Sequence, residues 1–456
     1  MPIPNQTIDL LVLNGTLLTM DSENTLFNNG AVAIGGEKIL AVGHTNEFAT
    51  LSASHVIDAC GGIIMPGLVN THTHLPMSLF RGLADDLPLN VWLDKYIFPA
   101  EKKYITPESV RYGTLLSCIE MLMSGITTCC DGYFYEDSIA KAVYDSGMRA
   151  VLGQGIIDFP APGVPDPKNN INNAVAFAEK WQGACSSITP SIFCHSPYTC
   201  SAETLINAKN AAASKGLLFQ IHAAETKNEW NRIISEHKAT PIEFLDRLGI
   251  LDQKTLLVHA IWVDDDDIER IAGSHASISH NPESNMKLAS GIAPVPRFLQ
   301  SNITVGLGTD GCASNNNLDL FQEMYFTAKL HKVNTHDPTV MDAQTVLKMG
   351  TIEGAKAIGL DKDIGSLETG KQADLIIINT DRPHLIPMYN PVSQLVYAAH
   401  GSDVTDVIIA GNIIVRKQKL LTLNVNEILE RVTSMSKLIR NSSNYSPSNS
   451  TNANTL

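Results

Sequence analysis

The stretch Ile63-Ile64-Met65-Pro66-Gly67-Leu68-Val69-Asn70-Thr71-His72-Thr73-His74 decides how the chain folds. It is typical of a buried apolar strand that ends in two histidines. Because alternate residues of a strand point to the same side, His72 and His74 are expected to project together, with Thr71 and Thr73 facing away. Two imidazoles that converge at a strand end can chelate one metal ion, but the pattern is weak without partners elsewhere in the chain.

From about residue 68 to residue 357, the sequence repeats a pattern in which a short apolar β run ends in a polar residue and a helical stretch follows. The β runs are residues 68–74, 126–131, 150–156, 192–195, 217–222, 256–259, 276–279 and 304–310. The helical stretches include residues 107–124, 137–146, 202–214, 264–272 and 318–331. The first of these begins with Thr106 as N-cap and Pro107 at position N1, and Gly125 follows its end. Eight β/α units in series predict a closed parallel barrel.

Both ends of the chain carry short β-rich segments instead. They lie at residues 10–13, 17–20, 31–34, 39–42 and 55–58, with Asn14-Gly15, Asn29-Gly30 and Gly35-Gly36 as turn signals between them. Strand-like runs return at residues 373–378, 404–409 and 412–415. A sheet that no helix covers needs a partner layer, so we predict one discontinuous β-sandwich built from both ends of the chain.

The predicted fold is therefore α/β, with a (β/α)8 TIM-like barrel and a second, smaller β-sandwich domain. The predicted boundaries are 1–65 and 366–424 for the two halves of the sandwich, 66–365 for the barrel, 425–440 for a C-terminal helix and 441–456 for a disordered tail. The long connection between His74 and Thr106 is predicted to be a loop at the barrel mouth that builds the substrate pocket.

Composition excludes several classes of partner. The chain has 456 residues, of which 44% are hydrophobic and 18% charged, and its net charge of −14 argues against binding to nucleic acid or to an anionic membrane. No leader segment and no run of roughly 18 apolar residues is present, which predicts a cytoplasmic protein. The eight cysteines form no CxxC pair, so buried free thiols are expected.

Residues with metal-binding side chains end five of the eight predicted barrel strands. They are His72 and His74 on the first strand, His195 on the fourth, His222 on the fifth, His259 on the sixth and Asp310 on the eighth. Each one alone is as compatible with a core or surface position as with function. Because the carboxyl ends of barrel strands surround one mouth, the set predicts a metal site there.

Three imidazoles and one carboxylate, from His72, His74, His222 and Asp310, suit one borderline divalent ion such as Zn²⁺, with Fe²⁺ as the competitor. A catalytic site keeps one coordination position open for water, and the pKa of that water falls to about 7. His259 would orient the resulting hydroxide or would itself be a ligand, and spacing leaves both options open.

Glu225 lies three residues after His222, just past the end of the fifth strand. A carboxylate at this position can reach the same cavity without binding the metal, which is where a general acid or base belongs. A solvated loop glutamate is the alternative interpretation.

With these residues in place, the sequence resembles the amidohydrolase superfamily over nearly the whole chain. The matching pieces are residues 66–74, 195–198, 222–226, 258–260, 279–285 and 308–316, which read PGLVNTHTH, HSPY, HAAET, VHA, SHNPESN and GTDGCASNN. They are most similar to the branch of 5′-methylthioadenosine/S-adenosylhomocysteine deaminases, which also contains triazine and other aminohydrolases.

The resemblance implies one metal ion, held by His72, His74, His222 and Asp310. Binuclear relatives use a carboxylated lysine on a middle barrel strand, and residues 191–197 contain no lysine. The implied reaction is hydrolytic deamination at C6 of an adenine nucleoside. Glu225 would protonate the ring nitrogen, metal-activated hydroxide would attack with the help of His259, and Asp310 would carry a proton to the departing amine.

The resemblance also implies contacts to the nucleoside. Glu101 would hold the ribose hydroxyls, since two acceptor oxygens can bind a vicinal diol. Trp92 matches an aromatic contact to the nucleoside, with simple loop packing as the alternative. His195 and Ser314 match further substrate contacts, to which Glu225 and Asp310 add theirs.

One departure from the family bears on the substrate. Some members use two arginines after the third strand to hold the carboxylate of the homocysteine group, and residues 151–175 contain no arginine and only Lys168 as a basic residue. Residues 155–162 are largely apolar instead, which suits a thiomethyl group. Because a carboxylate without a cationic partner is disfavoured, we predict that methylthioadenosine or adenosine is preferred to S-adenosylhomocysteine.

Two alternatives stand beside this hypothesis. The first is a related hydrolase that acts on another amino-heterocycle, such as an aminotriazine, guanine or a pterin, and the ribose-binding Glu101 argues against it. The second is a non-catalytic scaffold, against which the retention of every ligand argues. The expected partner is a small-molecule nucleoside, and assembly into a homo-oligomer is left open.

Overall fold

The computed structural model describes residues 7–442, and two β-sheets organise them. The first sheet has eight strands in sequence order, each parallel to its neighbours. They are β6 (Leu68–Thr73), β7 (Ile126–Tyr133), β8 (Arg149–Ile156), β9 (Ile188–Cys194), β10 (Leu218–Ala223), β11 (Thr255–His259), β12 (Ser277–His280) and β13 (Val305–Leu307). Just beyond β13, the amide of Asp310 donates to the carbonyl of His72 at 3.0 Å, so the sheet is a nearly closed barrel, as predicted.

The second sheet combines both ends of the chain, which confirms the predicted discontinuous arrangement. Its strands are β1 (Leu10–Leu18), β2 (Leu26–Gly35), β3 (Lys38–His44), β4 (His55–Asp58), β5 (Ile63–Pro66), β14 (Leu375–Ile378), β15 (Val404–Ile409), β16 (Asn412–Arg416) and β17 (Lys419–Leu420). Hydrogen bonds join them in the order β17-β16-β15-β14-β5-β1-β2-β3, and β4 pairs with β1. We call these nine strands the terminal sheet.

Helices alternate with the barrel strands and surround them. The helices before β11 are α1 (Leu89–Trp92), α2 (Phe98–Tyr104), α3 (Pro107–Met123), α4 (Glu136–Ser146), α5 (Asn170–Trp181), α6 (Ala202–Lys215), α7 (Lys227–His237) and α8 (Pro241–Arg247). Those after β11 are α9 (Asp265–Ser274), α10 (Pro282–Lys287), α11 (Val295–Gln300), α12 (Cys312–Asn315), α13 (Leu320–Thr335), α14 (Ala343–Met349), α15 (Ile352–Ala357), α16 (Pro391–Tyr397) and α17 (Val425–Ser442). Short 3-10 turns lie at Thr45–Phe48, Leu75–Phe80, Pro167–Asn169, Pro383–Leu385 and Gly401–Asp403, and a π-helical turn lies at Leu93–Ile97.

The segment that ends in the two histidines is not one strand, as the sequence suggested, but two. Its first half is β5, which pairs with β14 in the terminal sheet, and its second half is β6 of the barrel. Gly67 separates them, and a Cβ atom there would lie 2.1 Å from the hydroxyl oxygen of Thr127. The two sheets approach so closely at this crossing that only glycine fits.

Three further expectations were wrong. Asn14-Gly15 is not a turn between strands, because β1 continues through it with shifts of register on either side of Gly15. Asn29-Gly30 is not a turn either, because both residues lie inside β2. Asn14 has a φ of 60°, which is the conformation of a β-bulge. The connection from His74 to Thr106 is not an open loop either, because it contains α1, α2, a 3-10 turn and a π-helical turn. Local helical turns satisfy the backbone groups of this segment where it covers the barrel mouth.

The remaining predictions concern the chain ends and the thiols. The domain boundaries stay predictions, the C-terminal helix is observed as α17, and the predicted tail lies outside the described residues from 443 onwards. The cysteines are free thiols as expected, with Cys60 exposed, Cys185 half-buried and the others buried. In the described part of the chain, no helix has the length and apolar character needed to cross a membrane.

A buried ion pair fastens the barrel to the terminal sheet. The guanidinium of Arg149 on β8 donates to both carboxylate oxygens of Asp374, at 2.8 and 3.2 Å, and both side chains are almost inaccessible to solvent. The carboxylate of Asp374 also accepts a hydrogen bond from the amide of Ala410 at 2.7 Å. The backbone carbonyl of Asp374 accepts one from the amide of Gly67 at 3.1 Å. The pair thus holds the crossing point described above.

Replacement of Asp374 by alanine should strongly destabilise the protein, because it leaves the guanidinium of Arg149 buried without a counter-charge. We expect a loss of about 3–5 kcal/mol, seen as a lower midpoint of thermal unfolding. The exposed pair of Arg111 and Asp145, with a nitrogen–oxygen distance of 2.8 Å, is the control. Asp145→Ala should cost about 1 kcal/mol or less, and equal losses in both variants would contradict the assignment.

Candidate active site

The structure brings the predicted metal-binding and catalytic residues to one mouth of the barrel. His74, Trp92, Glu101, His195, His222, Glu225, His259, Asp310 and Ser314 all line one cavity of about 850 Å³. His72 lies at its edge, fully buried, with its ring 4.7 Å from that of His74 and 4.9 Å from that of His222. The functional roles assigned to these residues stay predictions, but their positions make such roles physically available.

The side chains of His72, His74, His222 and Asp310 have the spacing of a metal-binding set. The Nε2 atoms of His72 and His222 lie 3.2 Å apart, and Oδ1 of Asp310 lies 3.5 and 3.4 Å from Nε2 of His72 and His74. Bonds of about 2.0–2.1 Å to a tetrahedral ion place ligand atoms about 3.3 Å apart. The four side chains therefore fit one divalent ion. Among the described residues, the three histidines form the one group whose ligand atoms all lie within 4.8 Å of one another, as a metal site requires.

Hydrogen bonds orient two of these histidines for binding through Nε2. Nδ1 of His74 lies 2.7 Å from the carbonyl oxygen of Gly132, and Nδ1 of His222 lies 2.7 Å from that of His195. A carbonyl oxygen accepts only, so each Nδ1 carries the proton and each Nε2 has a free lone pair. Burial lowers the pKa of His72 to about 4 and lowers the pKa of His74 and His222 as well. The rings are therefore neutral at pH 7, the form in which imidazole binds a metal.

The two carboxylate oxygens of Asp310 have different partners. Its Oδ1 faces the histidines and accepts the amide of Gly311 at 2.7 Å, while Oδ2 accepts the hydroxyls of Ser284 and Ser314 at 2.6 and 2.8 Å. Burial alone would raise the pKa of Asp310, but the contact with His72 and the nearby imidazoles hold that pKa well below its usual range. The carboxylate is thus ionised and fixed in orientation.

Glu225 and His259 face each other across the same cavity. Oε2 of Glu225 lies 3.9 Å from Nε2 of His259, and the hydroxyl of Ser290 donates to Oε1 of Glu225 at 3.4 Å. Burial raises the pKa of Glu225, which favours its protonated form, and the charge of Asp310 adds to this effect. Nδ1 of His259 lies 2.8 Å from the side-chain oxygen of Asn285, so this nitrogen carries the proton and Nε2 can accept.

Left-handed backbone conformations occur where these strands end. His259 has a φ of 76° and Asp310 a φ of 59°, although neither is glycine. Strained residues of this kind persist only where the surrounding structure holds them, and they concentrate at functional sites. Both side chains line the cavity.

Helices α1 and α2 form the side of the cavity opposite the histidines. Trp92 ends α1 and is buried, and Glu101 on α2 is buried with its Oε1 accepting the hydroxyl of Tyr133 at 2.5 Å. Burial raises the pKa of Glu101 to about 7, although the bond from Tyr133 acts against this shift. The second carboxylate oxygen remains available for a donor from a ligand.

The cavity wall that follows β8 is apolar. It consists of Ile156, Ile157, Phe159, Pro160, Ala161 and Pro162. The ring of Phe159 packs edge-on against Phe98 of α2, with the ring centres 5.6 Å apart. Among the described lining residues, Lys102 is the one lysine or arginine. This end of the cavity therefore suits a small uncharged group.

Several residues of the site were not assigned from the sequence. Ser284 and Asn285 lie in a segment that matched the family, but spacing gave no reason to join them to Asp310 and His259. Tyr133 carried no sequence signal, because its bond to Glu101 depends on α2 folding over the barrel. His280 also ends a barrel strand, β12, but its contact is with a histidine outside the predicted site. Its Nε2 lies 3.1 Å from Nε2 of His331.

Comparison with known proteins agrees with this geometry. The model of the amidohydrolase family matches residues 63–414. A 5-methylthioadenosine/S-adenosylhomocysteine deaminase of Syntrophobacter fumaroxidans is 45% identical over 95% of this chain and 98% of its own length. A 5′-deoxyadenosine deaminase of Methanosarcina mazei is 43% identical over 92% of this chain and 96% of its own. The crystal structure of a zinc-bound adenosine deaminase from Xanthomonas campestris superimposes with a TM-score of 0.94 at 34% identity, covering 96% of this chain and 100% of that one.

The purified protein should bind about one divalent ion per chain, and loss of one imidazole should weaken that binding. We expect His222→Gln to lower the metal affinity at least about tenfold, since loss of even an indirect partner costs 10–100-fold. Metal content is measured by mass spectrometry after dialysis against a competing chelator. His195→Gln is the matched control, because the Nδ1 of His195 bonds to Thr199 at 2.9 Å and its side chain is outside the ligand set. Full metal content in His222→Gln would contradict the assignment.

Proposed function

The chain belongs to the amidohydrolase family, and from this premise we propose that it deaminates an adenine nucleoside by hydrolysis. The preferred substrate is 5′-methylthioadenosine, which water converts to 5′-methylthioinosine and ammonia. The observation that carries the proposal is the presence, in one cavity, of a metal-binding set and of the buried side chains of Glu225 and Glu101. The names of the relatives at 43–45% identity support the same substrate class.

His72, His74, His222 and Asp310 would hold one divalent ion. Three imidazoles and a carboxylate favour Zn²⁺, with Fe²⁺ as the competitor, and the zinc in the related adenosine deaminase supports this choice. When bound, the ion would act as a Lewis acid that activates a water molecule at neutral pH.

Glu225 supplies the acid for the reaction. Burial raises the pKa of Glu225, which favours the form of the carboxyl that can donate a proton to a nitrogen of the adenine ring. Protonation withdraws electrons from C6 and makes that carbon susceptible to attack by water. The lack of any bond between Glu225 and the metal-binding side chains keeps this proton separate from the ligands.

His259 and Asp310 complete the movement of protons. Nε2 of His259 is a hydrogen-bond acceptor in the cavity, because Asn285 engages the proton on Nδ1. It orients the attacking water. Asp310 is ionised and therefore accepts a proton from that water and passes it to the amine that leaves as ammonia. The second proton of the water leaves the new C6 hydroxyl and returns to Glu225, which restores the acid and gives the neutral inosine analogue.

The remaining cavity residues select the nucleoside. Glu101 accepts the two ribose hydroxyls with the oxygen that Tyr133 leaves free, and Trp92 packs against the nucleoside. His195 and Ser314 make further contacts at the adenine end. A ribose site of this kind disfavours the alternative of a triazine, guanine or pterin hydrolase, and ammonia release from a panel of these rings compared with adenosine tests that choice.

Replacement of Glu225 by glutamine should leave metal binding intact and remove most turnover. An amide cannot donate a proton to the ring as a carboxylic acid does, so kcat should fall by about 10²–10⁴-fold. The measurement is the loss of adenosine-type absorbance with 5′-methylthioadenosine, together with metal content as the control. A kcat close to that of the wild type would remove Glu225 from the chemistry.

The apolar wall after β8 should make the enzyme discriminate against a charged 5′ substituent. We expect kcat/KM for 5′-methylthioadenosine to exceed that for S-adenosylhomocysteine at least about tenfold, because the carboxylate finds no guanidinium there. The decarboxylated analogue of S-adenosylhomocysteine is the matched control ligand and should recover part of the difference. Comparable kcat/KM values for the two substrates would refute this preference.

A further inference from the structure

Glu229 makes an unusual bidentate contact with the chain just before it. It is the third residue of α7 and is almost fully buried. One carboxylate oxygen accepts the amide of Ala224 and the other accepts the amide of Glu225, both at 2.8 Å. Two consecutive amides of the turn after β10 are therefore held by a single side chain.

This contact is not the usual capping arrangement of a helix. In a capping box, the glutamate at N3 bonds to the amide of the N-cap residue. Here Thr226 is the N-cap, and its hydroxyl accepts the amide of Glu229 at 3.1 Å, so the helix is already capped. The carboxylate of Glu229 reaches past Thr226 to the two residues before it, where the helix itself gains no bond.

The turn that Glu229 holds is strained. Ala224 has a φ of 54°, in the left-handed region that is unfavourable for a residue with a Cβ atom. Its carbonyl accepts the amides of Ile261 and Trp262 at 2.9 and 2.8 Å, so bonds fix the residue on both sides. Glu225 follows Ala224 directly and lines the cavity, so the conformation of this turn sets where its carboxyl can lie.

We propose that Glu229 is a positioning residue for the proton donor Glu225. By binding the amides of Ala224 and Glu225 together, it fixes the strained turn and therefore the place at which the Glu225 carboxyl meets the substrate. This role rests on the function proposed above. Proton transfer depends steeply on distance, whereas the ribose contacts of the substrate come from α1 and α2, on other parts of the chain.

The test is the variant Glu229→Gln, which preserves the shape of the side chain. A glutamine has only one acceptor oxygen, so its NH2 group faces one of the two backbone amides, and two donors then meet. We expect kcat with 5′-methylthioadenosine to fall about 10–100-fold, as a displacement of about 1 Å would cause. KM should change by less than about threefold and metal content should stay the same, because neither depends on the turn. A general loss of structure would change all three quantities together.

Glu243 provides a matched control in the next helix. It is also the third residue of its helix, after the N-cap Thr240, whose hydroxyl accepts the amide of Glu243 at 3.0 Å. Its carboxylate bonds to the exposed Arg247 at 2.6 Å and not to a strand end. Glu243→Gln should therefore leave kcat within about twofold of the wild type.

A second variant, Glu229→Asp, keeps the charge at the start of α7 but draws the oxygens back by one methylene. It should also lower kcat selectively, and it keeps the test decisive if Glu229→Gln does not fold. A kcat within twofold of the wild type in the folded variants, with a strong loss in Glu225→Gln, would overturn the positioning role alone. Loss of metal, or a rise of KM in step with the fall of kcat, would also overturn it. An unchanged kcat in Glu225→Gln would instead refute the proposed function.

Discussion

Three imidazole nitrogens and one carboxylate oxygen are held so close together at the barrel mouth that their lone pairs repel one another unless a cation lies between them. The contacts of 3.2–3.5 Å among His72, His222, His74 and Asp310 impose this condition. The strands that carry them are far apart in the sequence, and only closure of the barrel makes them neighbours. Burial lowers the pKa of the imidazoles, so they stay neutral and able to bind the ion. The positions of Glu225, His259 and the cavity follow from this centre.

Two carboxyl groups in the cavity have environments that drive their pKa values apart. Burial raises the pKa of Glu225 against the opposing effect of His259, whereas the imidazoles hold the pKa of Asp310 well below its usual range. The two shifts have opposite directions, which is the arrangement that the proposed hydrolytic deamination requires of its acid and its base. Neutral hydrogen-bond partners hold each carboxyl in place. Ser284 and Ser314 donate to Asp310, and Ser290 donates to Glu225.

Rigid elements away from the cavity support the same geometry. The ion pair between Arg149 and Asp374 holds the terminal sheet to the barrel beside Gly67, where the chain passes from one sheet to the other. The strand that starts at this crossing ends in His72 and His74. The bidentate contact of Glu229 with the turn after β10 has a similar purpose on the opposite wall. In both places, a buried carboxyl group accepts hydrogen bonds from several donors, which restrains the backbone around it.

The sequence by itself determined the order of the β/α units, the sheet made by both chain ends and the set of residues at the strand ends. These features follow from local periodicity, and in a parallel barrel all strands direct their carboxyl ends to one mouth. The sequence did not determine the break at Gly67, the helices between His74 and Thr106, or the partners Tyr133, Ser284, Asn285 and Glu229. Each of these depends on which surfaces touch after closure. A contact between residues distant in the chain leaves no periodic signal, because it is decided by packing distance and not by spacing along the sequence.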